Sequence, residues 1–572
     1  MFLNHHHNFL LMPKNELIQE IIQKLKQKKL SQEKLSQIKL NLCKKYHVKK
    51  VPTNIEILLN STPQEAQKIG LINKPIRSSS GVSVIAIMSY PFACKHGKCL
   101  YCPGGPGSIF GNIPQSYTGR EPAAMRAIRN NYDPYLQVFN RLEQYIAAGH
   151  FPEKIELIIM GGTFPSFEKK YQENFITYAL KAMNDFGELF LKNKLNFSKY
   201  KKFFEMPGDI RNPERTKRII SKIKKLKKKS NLKKEQKRNE KAKIRCVALC
   251  IETRPDFCME KEINNMLKLG TTRVEIGVQT LSNKILKKIK RGHKIEHTIK
   301  ATQLMKDSFL KTGYHMMPGL PGVSYKEDID TFKQLFLDSD FRPDALKIYP
   351  CMVLEGTELY KLWKQKKYTP LTTKKAAKMI VLIKKQIPKY VRIMRIQRDI
   401  PTCMTSAGVD RTNLRQYVSE LMKQKKQECQ CIRCREPRNR KIDFRKVKIK
   451  SYYYTASKGT EVFISAEDIK KNILIGFCRL RIPYHPFRKE ITKDSAGIRE
   501  LHVYGESEKI GEKGKKIQHR GIGKTLMQEA EKIAKEVFNK NKILVISGIG
   551  VKEYYCKKLG YKKDGVYVSK RL

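Results

Sequence analysis

From about residue 75 to residue 400, short β-branched and aliphatic runs punctuate the chain: 82–88, 155–160, 246–251, 273–278, 345–349 and 391–396. Each is strand-length and is bounded by polar or glycine-rich residues. Longer amphipathic stretches, such as 284–309, lie between them. This alternation predicts βα units and a parallel sheet, hence a full or partial barrel. Sites in such barrels form at the C-terminal ends of strands. There the chain carries Gly161-Gly162-Thr163-Phe164, Glu252-Thr253-Arg254-Pro255-Asp256 and Gln279-Thr280. Ahead of the barrel, Leu17, Ile21 and Leu25 recur four apart among lysines and glutamines, so residues 15–50 read as helix.

The end of the chain has a different rhythm. Strands are expected at 461–465, 473–481, 498–504 and 542–547, with a helix from Gly523 to about Phe538 and a short helix and turn at 551–561. The fold class is therefore α/β, in four parts. A basic helical region spans 1–74, a barrel 75–400, a cysteine-rich linker 401–450 and a compact α/β module 451–572. At 572 residues, several domains are expected.

Charge changes the picture. Lys and Arg number 116 against 54 Asp and Glu, a net +62. Lysine is spread along the whole chain, which explains part of the excess; the remainder calls for a polyanion, most simply nucleic acid. Residues 213–245 hold 16 Lys or Arg and three Glu and read as a solvated helix or a disordered insertion. No apolar run approaches the roughly 18 residues of a membrane span. Fourteen cysteines without a secretory signal suggest a reducing, cytoplasmic setting and metal or redox chemistry.

Two cysteine groups carry candidate chemistry. Cys94, Cys99 and Cys102 follow the first strand with C-x4-C-x2-C spacing. Three thiolates can hold three irons of a 4Fe–4S cluster, leaving the fourth iron open to S-adenosylmethionine. A zinc site completed by His96 or by a residue distant in sequence is the competing reading. Cys429, Cys431 and Cys434 form a C-x-C-x2-C group, read as zinc ligands; Cys403 is one option for a fourth ligand, and an unmetallated trio is the alternative. In the last module, strand residues Glu500, Leu501, His502 and Val503 precede Gln518-His519-Arg520-Gly521-Ile522-Gly523-Lys524, which opens a helix. Exposed amides there make a seat for a pyrophosphate.

The cysteine loop and glycine loop resemble those of radical S-adenosylmethionine enzymes, and the last module resembles GNAT acetyltransferases. The pairing, with QSYTGREPAAMRAIRNNYDP (115–134), IIMGGTFPSF (158–167), HMMPGLPG (315–322), RIQRDIP (395–401) and RELHVYGE (499–506), resembles the catalytic subunit family of Elongator in its archaeal single-chain form. The resemblance covers about 75–572. It implies a tRNA uridine carboxymethyltransferase that acts on carbon 5 of the wobble uridine in the anticodon loop. The implied cofactors are a 4Fe–4S cluster on Cys94, Cys99 and Cys102, S-adenosylmethionine, acetyl-coenzyme A and a linker zinc. An external electron donor is implied; other Elongator-type subunits are not expected to be required. Gly161, Gly162, Glu252 and Gln279 would contact S-adenosylmethionine. Lys154, Glu500, Leu501, His502, Val503, Gly521, Ile522, Gly523, Lys524 and Tyr555 would bind acetyl-coenzyme A. Tyr554 and Tyr555 are the catalytic candidates near the thioester, one of them expected to be core. The alternatives are a protein lysine acetyltransferase with a structural cluster, with His502 or Glu500 as base, and a non-catalytic RNA-binding scaffold.

Overall fold

The computed structural model describes residues 12–572 except 28–29, 49–50, 63, 66–68, 70–80, 192–194, 209–211, 439, 441 and 506–520. Residues 518–520 of the expected anion loop thus lie outside the described residues, and Gly521–Lys524 lie within them.

The N-terminal region is helical, as expected, and is built from three helices among the described residues. They are α1 (Met12–Gln27), α2 (Gln32–Lys45) and α3 (Asn54–Asn60). Ser31 starts α2 by accepting from the Lys34 N–H, and Thr53 with Glu56 forms a capping box on α3. Leu17, Ile21 and Leu25 are buried against Leu35, Leu42 and Ile57, so the fourfold spacing marks a packed face.

The barrel is a half-barrel: β1 (Ser83–Met88), β2 (Lys154–Met160), β3 (Arg245–Thr253), β4 (Arg273–Gln279), β5 (Lys311–Met316), β6 (Ala345–Ile348) and β7 (Arg392–Ile396). Neighbours in sequence are neighbours in the sheet, and every pairing is parallel. Helices coat its outer face, among them α4 (Pro134–Ala147), α5 (Lys169–Phe190), α6 (Pro213–Leu226), α7 (Leu232–Lys241), α8 (Tyr325–Leu337), α9 (Thr373–Lys385) and α10 (Leu414–Gln424). Local sequence explains their starts: Asp133 accepts from the N–H of Tyr135 and Leu136 ahead of Pro134, and Ser324 with Glu327 boxes α8.

Two expectations are corrected. β5 was not anticipated because Lys-Thr-Gly-Tyr-His-Met lacks a β-branched run. Its Gly313 is required, since a Cβ there would lie 2.9 Å from Glu275 Cγ. The lysine-rich segment 213–245 is neither a disordered insertion nor a lone solvated helix. It folds as α6 and α7, burying Ile219, Ile223 and Leu232, before running into β3. Glu235, fully buried, accepts from Asn184 at 2.8 Å and tethers α7 to α5. The cysteine-rich linker is itself folded, with α10 packed on α9.

The final module is a seven-stranded sheet: β8 (Val447–Ala456), β9 (Gly459–Asp468), β10 (Ile473–Ile482), β11 (Ser495–Val503), β12 (Lys542–Val545), β13 (Lys562–Asp564) and β14 (Tyr567–Arg571), in order 8-9-10-11-12-14-13. β8 crosses the expected boundary at 450/451, so the module begins earlier. Helix α11 (Ile522–Lys532) covers one face, and α12 (Lys552–Leu559) precedes β13.

This module seals the floor of the half-barrel. Arg499 pairs with both oxygens of Asp344, just before β6, at 2.9 and 2.5 Å. Arg481 pairs with Asp307 at 2.6 Å, and the ring of Phe309 fills the space over Gly497. All four charged groups are fully buried. Removing one partner of such a pair strands a buried charge, at a cost of about 3–5 kcal/mol.

Candidate active sites at the two ends of the half-barrel

The rim formed by the C-terminal strand ends holds Cys94, Cys99 and Cys102. Gly161 and Gly162 adopt φ of 109° and 72°, where a side chain is strained. A Cβ on Gly161 would lie 2.6 Å from Ser89 Oγ, and one on Gly162 would approach Cys94 Sγ at 3.9 Å. The glycine loop therefore passes directly against the first cysteine. Arg291 donates to Cys99 Sγ at 3.6 Å, His96 lies 3.2 Å from the same sulfur, and the Ser116 N–H donates to Cys102 Sγ at 3.2 Å. These groups oppose the burial that pushes the Cys102 thiol up to about 11 and the Cys94 thiol up: the Ser116 N–H acts on Cys102 and Arg291 on Cys94. The three sulfurs do not close to within the 4.8 Å of a single-ion site, whereas Cys429, Cys431 and Cys434 do. The wide trio suits a multi-iron cluster better than one zinc ion, and His96 serves Cys99 as a hydrogen-bond partner.

Below the rim, the inner wall is charged. Lys347 bridges Glu252, at 2.6 Å, and Glu275. His315 Nε2 sits 2.8 Å from Glu275, and the Tyr117 hydroxyl donates to Glu252 at 3.4 Å. Burial pushes the Glu252 carboxyl up, but Lys347 and His315 outweigh it and hold it below its ordinary value. Glu252, Glu275 and His315 are close enough together to hold an ion. The Lys347 ammonium already supplies the positive charge between the two carboxylates. Gln279 ends β4 at φ 72°, with its Oε1 lacking a hydrogen-bond partner among the described residues.

The wall continues downward. Arg273 contacts Glu275 at 3.1 Å and Glu156 at 2.5 Å, and it lies in electrostatic reach of Lys311. Lys311 is bonded to Glu500 of the final module. A chain of charged groups thus runs from the rim to the floor. Glu275, His315, Lys347 and Lys311 were missed in the sequence; the available signal was single charged residues inside otherwise apolar strand runs.

At the floor, β11 pairs with β12 only through Ser495–Ile498; Arg499 to Val503 diverge from that neighbour while still paired with β10. The divergent strand edge offers backbone groups to an extended ligand. Glu500 also receives Arg479 Nε at 2.9 Å. Burial opposes its charge, yet Lys311 and Arg479 pull its pKa down to about 2. His502 stacks on Phe477 with ring centroids 5.8 Å apart, and burial drives its pKa down to about 3. Gly521 starts α11 at φ 78° with open space around its Cβ position. Over Gly523, the Tyr554 hydroxyl would meet a Cβ at 3.6 Å, beside Val503 and Leu501. Tyr555 points instead into the core, 7% exposed, next to Tyr561. Adjacent helical residues point about 100° apart, so Tyr554, and not Tyr555, faces the split strand. Lys154, half-buried, opens β2 opposite Arg245. A Cβ on Gly550 would touch Arg245, so the loop leading into α12 lies against this corner of the barrel.

The comparisons agree with this division. The Radical SAM superfamily model matches residues 88–335 and its C-terminal domain model 343–424. The ELP3 N-terminal domain model matches 14–79 and the acetyltransferase (GNAT) family model 427–561. A "tRNA uridine(34) acetyltransferase" of Methanocaldococcus infernus is 49% identical over 91% of this chain and 92% of its own length. The chain belongs to the Elongator complex protein 3 family. The member from Saccharomyces cerevisiae is 39% identical over 92% of this chain and 90% of its own. The solved archaeal Elp3 of M. infernus, lacking its N-terminus, superposes with a TM-score of 0.70 at 45% identity. It covers 86% of this chain and 100% of that one. The match to the ELP3 N-terminal domain begins at residue 14, so α1–α3 are a family element and not an appendage.

Proposed function

We propose that the chain places a carboxymethyl group on carbon 5 of the wobble uridine of tRNA, drawing the two-carbon unit from acetyl-coenzyme A. The carrying observation is that a cysteine rim and a split acetyltransferase strand occupy opposite ends of one half-barrel and are joined through its charged inner wall. Relatives named tRNA uridine(34) acetyltransferase support the RNA substrate, and the charge of +62 suits a polyanion.

Cys94, Cys99 and Cys102 would each hold one iron of a 4Fe–4S cluster, with Gly161 and Gly162 keeping the loop close enough for S-adenosylmethionine. When bound, these groups supply a carbon-centred radical. The chain's own work is placement. Glu252 and Gln279 orient the nucleoside ligand from the strand ends. Lys154 and the first amides of α11 hold the coenzyme A phosphates, the β11 edge holds its pantetheine arm, and Tyr554 faces the thioester. Cys429, Cys431 and Cys434 would hold zinc. The backbone N–H groups of Cys434 and Ile393 are directed at Cys431. Cys403, the option for a fourth ligand, is exposed and outside the group. No helix among the described residues is long and apolar enough to cross a membrane; a cytoplasmic enzyme served by an external reductant fits the reading.

Lysine acetylation would need a base that deprotonates near neutrality. Glu500 is instead held by Lys311 and Arg479, and burial disfavours the protonated form of His502, so neither is poised for that role. The deciding test is anaerobic reconstitution with iron and sulfide, then incubation with reductant, S-adenosylmethionine, acetyl-coenzyme A and unmodified tRNA. Mass spectrometry should detect 5′-deoxyadenosine and carboxymethyluridine. Absence of both, with the cluster verified spectroscopically, sinks the proposal.

A further inference from the structure

Two glutamines end strands of the half-barrel in the same strained way. Gln279 closes β4 at φ 72°, and Gln397 follows β7 at φ 84°. Side chains rarely tolerate this left-handed region, and it persists where function over-determines it. Gln279 belongs to the rim already described; Gln397 has no role in anything above. It is 4% exposed, and neither its Oε1 nor its Nε2 has a hydrogen-bond partner among the described residues. A buried primary amide with both ends unpaired is costly to keep.

Its surroundings locate it. The Gln397 N–H donates to the Ile348 carbonyl at 2.8 Å. The next residue, Arg398, donates to the carbonyl of Ser116, whose N–H is aimed at Cys102. Two residues earlier, Arg395 lies in electrostatic reach of Tyr349 and Glu252 on the inner wall. Gln397 therefore sits between the cysteine loop and the charged wall, at the mouth where a reacting base must arrive.

A carboxamide offers one donor and one acceptor side by side in a plane. Uracil offers the matching pair, its N3–H beside its O4. A flipped carboxamide would also match cytosine. The neighbouring Arg395, ion-paired with Asp399, can only donate, which favours the carbonyls of uracil over the exocyclic amine of cytosine. The contrast with 3-methyluridine reports on Gln397 itself. We propose that Gln397 reads the N3–H and O4 edge of the uracil presented at the mouth of the half-barrel. This rests on the reading that the chain acts on a wobble uridine.

The test measures binding of full-length protein, with S-adenosylmethionine and no reductant, to labelled anticodon stem-loops by fluorescence anisotropy. The wobble position carries uridine, cytidine or 3-methyluridine. Wild type should favour uridine by about tenfold, the discrimination of one bidentate edge contact. Gln397→Met should bring the uridine and 3-methyluridine affinities within about twofold of one another while leaving the cytidine loop and S-adenosylmethionine affinities unchanged. Gln397→Gly, which relieves the left-handed backbone and removes the unpaired amide, should unfold at the same temperature as wild type or higher. Retained preference for uridine over 3-methyluridine in Gln397→Met overturns the assignment. So does a matching loss of S-adenosylmethionine affinity, which would make Gln397 a cofactor contact. A lowered unfolding temperature in Gln397→Gly would make its role structural and overturns it too. A wild type indifferent to the wobble base would instead strike at the uridine reading itself.

Discussion

Two cysteine trios, similar in count and spacing, sit at opposite ends of the same sheet and are built for different ends. Cys94, Cys99 and Cys102 lie on a loop beyond the strand ends, spread apart, with glycine backbone pressed against Cys94 and Arg291 beside Cys99. Cys429, Cys431 and Cys434 close to within 4.8 Å, at the start of β7, where the Ile432 N–H bonds to the Val391 carbonyl. Next to them Arg435 pairs with Glu467 of β9, and Arg392 donates to the Tyr504 hydroxyl at 2.7 Å. The first trio lies at the strand ends under the glycine loop, with Cys94 half-buried and Cys99 and Cys102 buried; the second sits in the joint that rivets the half-barrel to the final module. Thiol count does not decide use. Sulfur separation and what surrounds the sulfurs do.

The contrast breaks most sharply by substitution on each side. Cys99→Ala should abolish 5′-deoxyadenosine and carboxymethyluridine formation while acetyl-coenzyme A binding by calorimetry stays near wild type. Persistent product would remove the rim trio from the chemistry. Cys431→Ala should instead cost on the order of 3 kcal/mol of stability. Metal analysis should show zinc lost while iron is retained. A Cys431→Ala protein of unchanged unfolding temperature would refute the riveting role.

Effects at the floor are smaller and sharpen the picture. Tyr554→Phe should slow product formation about tenfold or more, and Tyr555→Phe by less than about threefold, in matched steady-state assays. The reverse ranking would restore Tyr555 to the site. The smallest effect is a pH dependence. His502 is held neutral, with its pKa lowered from 6.5 to about 3, so the unfolded chain binds more protons between those values. Its contribution is complete above pH 6.5 and is lost as pH falls toward 3. Unfolding temperature should therefore fall from pH 7 to pH 5, and less steeply in His502→Phe. Equal slopes would show that other groups govern the acid side.

Much was legible along the chain because the relevant physics is local. Strand runs, helix periodicity and the glycine pair beside a cysteine loop follow from backbone sterics and burial of one face. They located six of the seven half-barrel strands and the rim trio. Gly313 hid the remaining strand, because the reason for that glycine is the Glu275 side chain on the next strand. The same limit explains α6 and α7: a lysine-rich stretch looks solvated until Ile219, Ile223 and Leu232 find a partner surface. It also explains Tyr554 and Tyr555, where composition offers two equal hydroxyls and only the angle of α12 chooses between them. The sequence by itself determined the cysteines, the glycines and the order of the elements. Only the tertiary structure decided how far apart three sulfurs lie, which carboxylates Lys347 joins and which amide is left unpaired. Those depend on distances across strands that are remote in sequence, and the chain sets such distances only by packing.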